Sequence, residues 1–286
     1  MEQKELNNLK QSACQLRMDV LEEVFEAQSG HPGGALSSAE ILTWLYQKEL
    51  RVDPQNPGDP GRDRFILSKG HSSPGLYAAL AQRGFFDKEI LKSFRAPGSV
   101  LQGHPDMKKT PGVDMSTGSL GQGVSAACGM ALGAKLFQET YRTYVLLGDG
   151  EMEEGQVWEA AMFAGHKKLD NLCWIVDCNG LQIDGPVSQV GGPEPLDSKL
   201  EAFGFQVIAV ENGNDFEQLE RAFASAREPD GRPKAILART VKGKGVSFME
   251  NQVSWHGAAP NEEQYGQALC ELKRVMEDLE NSEGKH

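Results

Sequence analysis

A chain of 286 residues has room for one large α/β domain or two small ones, and 39% hydrophobic against 24% charged residues leaves enough apolar material for a sizeable core. A formal net charge of −12 argues against non-specific binding to nucleic acid or to an anionic membrane surface, since both need a basic field. No apolar run is long enough to span a membrane, and the N-terminal MEQKELNNLKQSAC has no apolar signal core. Five cysteines (Cys14, Cys128, Cys173, Cys178, Cys270) are scattered and odd in number, and Cys173 and Cys178 read as small buried residues rather than a metal pair, so a cytoplasmic protein is predicted.

Leu6, Leu9, Ala13, Leu16, Val20 and Val24 recur at three- and four-residue steps, so the spacing predicts an amphipathic helix over residues 4–27. The chain then breaks at Ser29-Gly30-His31-Pro32-Gly33-Gly34, and Ser37 with Glu40 forms a capping box for the next helix, SSAEILTWLYQ. The Pro-, Gly- and Asp-rich stretch from Asp53 to Asp63 reads as a surface loop. RFILS is an apolar run of strand length, followed at once by Lys69-Gly70-His71 and then by a helix, PGLYAALAQRG. YVLL at 144–147 is a further buried strand that leads into Gly148-Asp149-Gly150; a helix over 155–168, the strand LCWIVD and the loop Cys178-Asn179-Gly180 come next. FQVIAV, the helix DFEQLERAFASAR and the strand AILART continue the alternation up to Val241-Lys242-Gly243-Lys244-Gly245. Tyr265, Leu269, Leu272, Met276 and Leu279 then sit at helical spacing, so 261–286 reads as a C-terminal helix with a polar tail. Strands alternating with helices predict an α/β fold with a doubly wound, mainly parallel sheet and helices on both faces, in a single domain over 1–286.

His71, Asp149, Asn179 and Lys242 each follow the C-terminal end of a predicted strand, the edge at which open α/β sheets bind ligands. Taken singly, Asp-Gly and Asn-Gly are common turn pairs and Lys-Gly is a loop. Four strands delivering polar residues to one edge point instead to a site. Its strongest signal is Gly148-Asp149-Gly150-Glu151 followed by Asn179-Gly180. Asp149 offers a carboxylate oxygen and Asn179 an amide oxygen, the hard ligands that Mg2+ requires and that Ca2+ or Mn2+ also accepts. The backbone carbonyl of Leu181, water and ligand phosphate oxygens would complete the shell. Gly150 omits a Cβ that would block a phosphate, and a helix opening near Glu154-Gly155 would add its N-terminal dipole.

The GDG-E…N pattern resembles the diphosphate and metal motif of thiamine-diphosphate enzymes, and its surroundings narrow the resemblance. Ser29-Gly30-His31-Pro32-Gly33, Ser68-Lys69-Gly70-His71, Gly103-His104-Pro105-Asp106, Thr117-Gly118-Ser119-Leu120-Gly121-Gln122-Gly123 and Trp255-His256-Gly257 look like transketolase motifs, in the family's order. The resemblance implies a thiamine-diphosphate-binding fold of the diphosphate type. It implies that His71, Gly150 and His256 contact the cofactor diphosphate, that Gly118, Leu120 and their loop pack on the cofactor, and that Asp149, Asn179 and the Leu181 carbonyl hold Mg2+. His31, His104 and His256 would line the sugar channel as the catalytic histidines, with His104 near the donor hydroxyls. Glu154 matches a carboxylate placed at the family's dimer interface, linking two cofactor sites. Ketol transfer moves protons on and off sugar hydroxyls near neutral pH, which gives several loop histidines a purpose.

Ser119 stands where many full-length transketolases have Pro. Thiamine enzymes making deoxyxylulose phosphate also use Ser there, but their first motif lacks the His-Pro-Gly seen at His31. Complete transketolases carry a second domain that binds the aminopyrimidine ring and supplies the activating glutamate and most sugar-phosphate contacts. The resemblance therefore implies the N-terminal subunit of a split transketolase, working with a separate C-terminal, pyrimidine-domain subunit in an α2β2 assembly. Phosphorylated sugars would be the substrates, with no nucleic acid or membrane partner. Alternatives are deoxyxylulose-phosphate-synthase-like chemistry, the α subunit of a 2-oxoacid dehydrogenase, a non-catalytic relic, and a nicotinamide oxidoreductase. The last rests on Gly121-Gln122-Gly123-Val124-Ser125-Ala126, which lacks both a convincing preceding strand and the acid that would follow it.

Overall fold

The apolar runs become the central strands of one sheet because each is buried on both sides. The structure, a computed structural model, describes residues 1–283. Strands β1 (Arg64–Leu67), β2 (Thr143–Gly148), β3 (Leu172–Cys178), β6 (Gln206–Val210) and β7 (Lys234–Arg239) form a five-stranded sheet in the order β1-β2-β3-β7-β6, every pair parallel. A two-stranded antiparallel ribbon, β4 (Leu181–Gln182) and β5 (Gly185–Pro186), projects from the loop after β3.

Period-two alternation sends Tyr144 and Leu146 of β2 to one face and Val145 and Leu147 to the other. The first face is covered by α1 (Gln3–Glu26), α2 (Pro32–Ser37), α3 (Ala39–Trp44), α4 (Ser73–Arg83), α9 (Phe216–Arg227) and α10 (Glu262–Glu283). The second packs on α5 (Gln122–Leu136), α6 (Gly155–His166) and α8 (Leu196–Ala202), with the short α7 (Val187–Val190) following the ribbon. The sheet is thus doubly wound, as the alternation predicts. At the C-terminal end α10 lies along α1, where the Tyr265 and Phe25 rings stack at 4.1 Å and the Cys14 thiol donates to the Leu272 carbonyl at 3.2 Å. Residues 284–286 of the expected polar tail lie outside the described residues.

Two local expectations need correction. The break after α1 ends at His31, because Pro32 starts a helix: its missing N–H and fixed φ suit the first helical position. Ser37 and Glu40 make no capping box. Ser37 Oγ donates to the Gly34 carbonyl (3.1 Å) and to Asp177 (2.6 Å), and Glu40 accepts from Arg17 (2.7 Å) and Asn214 (2.8 Å). Tertiary partners with charge outcompete a local cap. Helix α5 has no counterpart in the sequence pattern, since its Gly- and Ala-rich run shows no helical stripe.

Glu23 on α1 is fully buried and neither carboxyl oxygen has a hydrogen-bond partner. Burial, reinforced by Asp19 and Glu22, pushes its carboxyl well above the usual range. While the acid is protonated in both states only the cost of its unpartnered burial remains, and a further penalty grows as pH rises above the unfolded value. Glu23→Met, unbranched and apolar, should therefore stabilise the fold by about 1–3 kcal/mol. The gain should be larger at pH 8 than at pH 5, as thermal unfolding at the two pH values would register.

Candidate active site

The carboxyl ends of β1, β2, β3 and β7 open onto one cleft. His71, Asp149, Asn179 and Lys242, each downstream of a different strand, line it together with Leu120, Gly150, Leu181 and His256. A parallel sheet produces this convergence because all its strands end at the same edge.

Asp149 caps β2, 6% exposed. Its Oδ1 accepts from the Gly150 N–H (2.9 Å) and its Oδ2 from the Gly180 N–H (2.5 Å), which ties the loop after β2 to the loop after β3. Burial, with Asp177 as a neighbouring negative charge, raises its carboxyl to about 6. The Asn179 amide oxygen accepts from the Leu181 N–H at 3.2 Å. The Leu181 carbonyl accepts from Lys242 Nζ (2.8 Å), and the same ammonium meets His256 Nδ1 at 3.0 Å. Burial brings Lys242 down to about 8. Lys244, left without a role by the sequence, pairs with Glu250 (3.2 Å) outside the cleft, while its carbonyl takes Arg17 Nε at 2.8 Å.

Three histidines from distant loops meet over the cleft. The His71 ring stands 5.0 Å from His256 and 5.3 Å from His31, and His31 stands 5.6 Å from His256, centroid to centroid. Burial lowers all three, helped by the positive neighbours Lys242, Lys69 or Arg95: His31 to about 4, His256 to about 3, and His71 well below the usual imidazole value. Their rings are therefore neutral near pH 7. His104 is exposed and lies outside this cluster, with a smaller lowering from burial and then Arg95. It stacks on Gly118, where φ is +139° and a Cβ would lie 2.9 Å from its ring, so a side chain there would displace the histidine.

Glu151 braces the loops. It is 3% exposed, and its carboxylate accepts from Ser68 Oγ, from the Gly121 N–H (2.9 Å) and from the Gly148 N–H (3.2 Å). Glu154 is brought to a different place. It is exposed at the start of α6 beside Gly121, and neither it nor Gly155 lines the cleft. The single turn Gly150–Glu153 intervenes, so the α6 dipole is not at the cleft wall. Gly150 has a steric reason in its own chain, since a Cβ would come 3.0 Å from that of Gln182. Sequence reasoning overlooked Arg95, whose guanidinium reaches Ser29 Oγ (2.7 Å), and Asp177, hidden inside an apolar strand run.

A parallel α/β sheet gathers oxygen donors, Lys242 and three histidines at its carboxyl edge, the place where such sheets bind ligands. Residues 9–272 match the model of the family described as transketolase, thiamine diphosphate binding domain, and the chain belongs to that family. It is 45% identical over 267 residues to the 6-deoxy-6-sulfo-D-fructose transketolase subunit SqwG of Clostridium sp. (strain MSTE9), covering 93% of this chain and 97% of that one. It is 42% identical to an apulose-4-phosphate transketolase subunit of Phocaeicola vulgatus, covering 92% of this chain and 93% of that one. Human transketolase is 44% identical over 257 residues, where 90% of this chain spans only 40% of that protein. Among solved structures, transketolase from Campylobacter jejuni superposes with a TM-score of 0.88 at 37% identity, covering 93% of this chain and 42% of that one. The nicotinamide reading falls with the fold: the segment before Gly121, from residue 98, contains no strand.

Proposed function

We infer that this chain is the thiamine-diphosphate- and Mg2+-binding subunit of a two-subunit transketolase, which moves a two-carbon ketol unit from a ketose phosphate to an aldose phosphate. The observation that carries this reading is the convergence of Asp149, Asn179 and Leu181 with His71, His256 and Lys242 in one cleft of a transketolase-family domain. The donor set fits the group: one buried carboxylate, one amide oxygen and one carbonyl suit Mg2+, which usually draws its remaining ligands from water and phosphate. A carboxyl already raised to about 6 is one that a cation would relieve. Bound thiamine diphosphate supplies a nucleophilic carbon that carries the two-carbon fragment.

The chain's own residues do the rest. Lys242, His71 and His256 hold the diphosphate by charge and hydrogen bonds, and Leu120 with the Gly118 loop packs on the cofactor. His31, His256 and the outlying His104 take and return hydroxyl protons as neutral imidazoles.

A second chain is part of this reading. The relatives named as subunits match nearly their whole length, and the cleft holds about 110 Å3, below the roughly 300–1,000 Å3 of complete small-molecule sites. Apolar surface is available for association: Met162 is 57% exposed on α6, and Leu136 (69%) and Phe137 (80%) are exposed at the C-terminal end of the neighbouring α5. The assembly in this reading is α2β2, and closed two-fold symmetry, the commonest among oligomers, supports it. No described helix is long and apolar enough to cross a membrane, and five free cysteines, three of them buried, support a cytoplasmic setting. The test is to purify the chain, assay ketol transfer with and without a candidate pyrimidine-domain partner, and measure mass alongside. Activity is expected only for the mixture, in a complex of both chains; full turnover by the isolated chain would refute the reading.

A further inference from the structure

Asp177, near the end of β3, has 0% exposure and four hydrogen-bond donors on its carboxylate. Oδ2 accepts from Ser37 Oγ (2.6 Å), Lys69 Nζ (2.6 Å) and the Asn179 amide nitrogen (2.9 Å), and Oδ1 accepts from Thr240 Oγ1. Lys69 is equally enclosed at 1% exposure, with its other contacts to the Gly34 carbonyl (2.7 Å) and Ser38 Oγ (3.2 Å). An ammonium has three protons, so this one is fully used and has none left for a ligand. The pair joins α2, the loop after β1, the loop after β3 and the exit of β7. A buried ion pair of this kind is weak grounds for stability, since well-packed apolar residues often do as well. Its geometry points to a different use.

An amide can present either its oxygen or its nitrogen to a neighbour, and a carboxylate can only accept. Asp177 therefore forces the Asn179 nitrogen toward itself and turns the amide oxygen to the side of Leu181 and the cleft. We propose that the buried Lys69–Asp177 pair is a positioning device that sets the orientation of the Asn179 amide and thereby the cation affinity of the cleft. Lys69 donates to Asp177 Oδ2 and holds that carboxyl in place; Asp177 takes the Asn179 nitrogen; Asn179 offers oxygen to the cation. The proposal rests on the Mg2+ reading given above.

Removing the director should release the amide. In Asp177→Asn the new side chain both donates and accepts, so Asn179 is free to present nitrogen to the cation. The full-length chain, titrated with Mn2+ in the presence of inorganic pyrophosphate and followed by water-proton relaxation, should lose about 10- to 100-fold in Mn2+ affinity, the range for partners that orient metal ligands. The exchanged variant, Asp177→Asn with Asn179→Asp, keeps the local charge and puts a carboxylate at 179, whose two oxygens make orientation irrelevant. It should recover affinity to within about threefold of the natural chain, by the same acceptor-only property of a carboxylate. Asn179→Asp alone, measured beside it, gives the affinity that the new carboxylate adds by itself, and the melting temperature of each variant separates folding from binding. Equal Mn2+ affinity in the natural chain and Asp177→Asn overturns the proposal and leaves the metal reading intact. Failure of the exchange to restore binding in a folded protein also overturns it, and absence of Mn2+ binding by the natural chain removes both.

Discussion

Asp149→Ala should abolish useful cofactor binding, lowering thiamine diphosphate affinity at least about a hundredfold, or about 2.8 kcal/mol, when measured by calorimetry with Mg2+ on the assembled enzyme. The substitution removes the one carboxylate among the proposed ligands, and with it the charge that holds the cation beside the diphosphate. It also releases the Gly150 and Gly180 N–H groups that the carboxylate holds at 2.9 and 2.5 Å, so the two loops lose their tie. Asp149→Asn keeps the shape and one acceptor, and should fall between the natural enzyme and the alanine variant. A pH dependence follows from the same carboxyl. Its pKa in the free protein is raised to about 6 by burial and Asp177, so below that pH a proton competes with the cation. Mg2+ affinity should fall as pH drops through 6, by up to about tenfold per pH unit. Unchanged affinity in Asp149→Ala would remove this residue from the metal site.

His104→Ala and His71→Ala should fail in opposite ways. His104 is exposed, stacks on Gly118 and lies outside the cleft lining, so its removal should leave cofactor affinity nearly intact. Ketose-donor kcat/KM should drop by about 10²–10⁴, the usual contribution of a positioned proton-transfer group. His71 lines the cleft at 5.0 Å from His256, centroid to centroid, and its loss should weaken cofactor binding first. Saturating cofactor should then recover most of the rate in His71→Ala and none of it in His104→Ala. If both variants lose cofactor binding equally, the division between cofactor and donor histidines is wrong.

Much of the site was legible because strand and loop chemistry is local. RFIL, YVLL and LCWIVD are apolar enough to be buried on both faces, and the polar residues after them had to emerge at the sheet's carboxyl edge. His71, Asp149, Asn179 and Lys242 could therefore be assigned to one site before any distance was known. The motif order from Ser29 to Gly257 carried the family for the same reason, since each motif is a contiguous loop. Helix α5 escaped because Gly and Ala carry no amphipathic stripe; its small residues are decided by what packs on them, namely α6 and the sheet. Ser37 and Glu40 had the spacing of a cap and were taken by Asp177, Arg17 and Asn214. Asp177 itself looked like one polar residue in an apolar strand. Its partners Ser37, Lys69 and Thr240 stand 140, 108 and 63 residues away along the chain, and hydrogen-bond competition across such separations is settled only when the sheet and its flanking helices close around it. The types of group at the site were set by sequence; which of them holds a ligand and which holds its neighbour was set by packing.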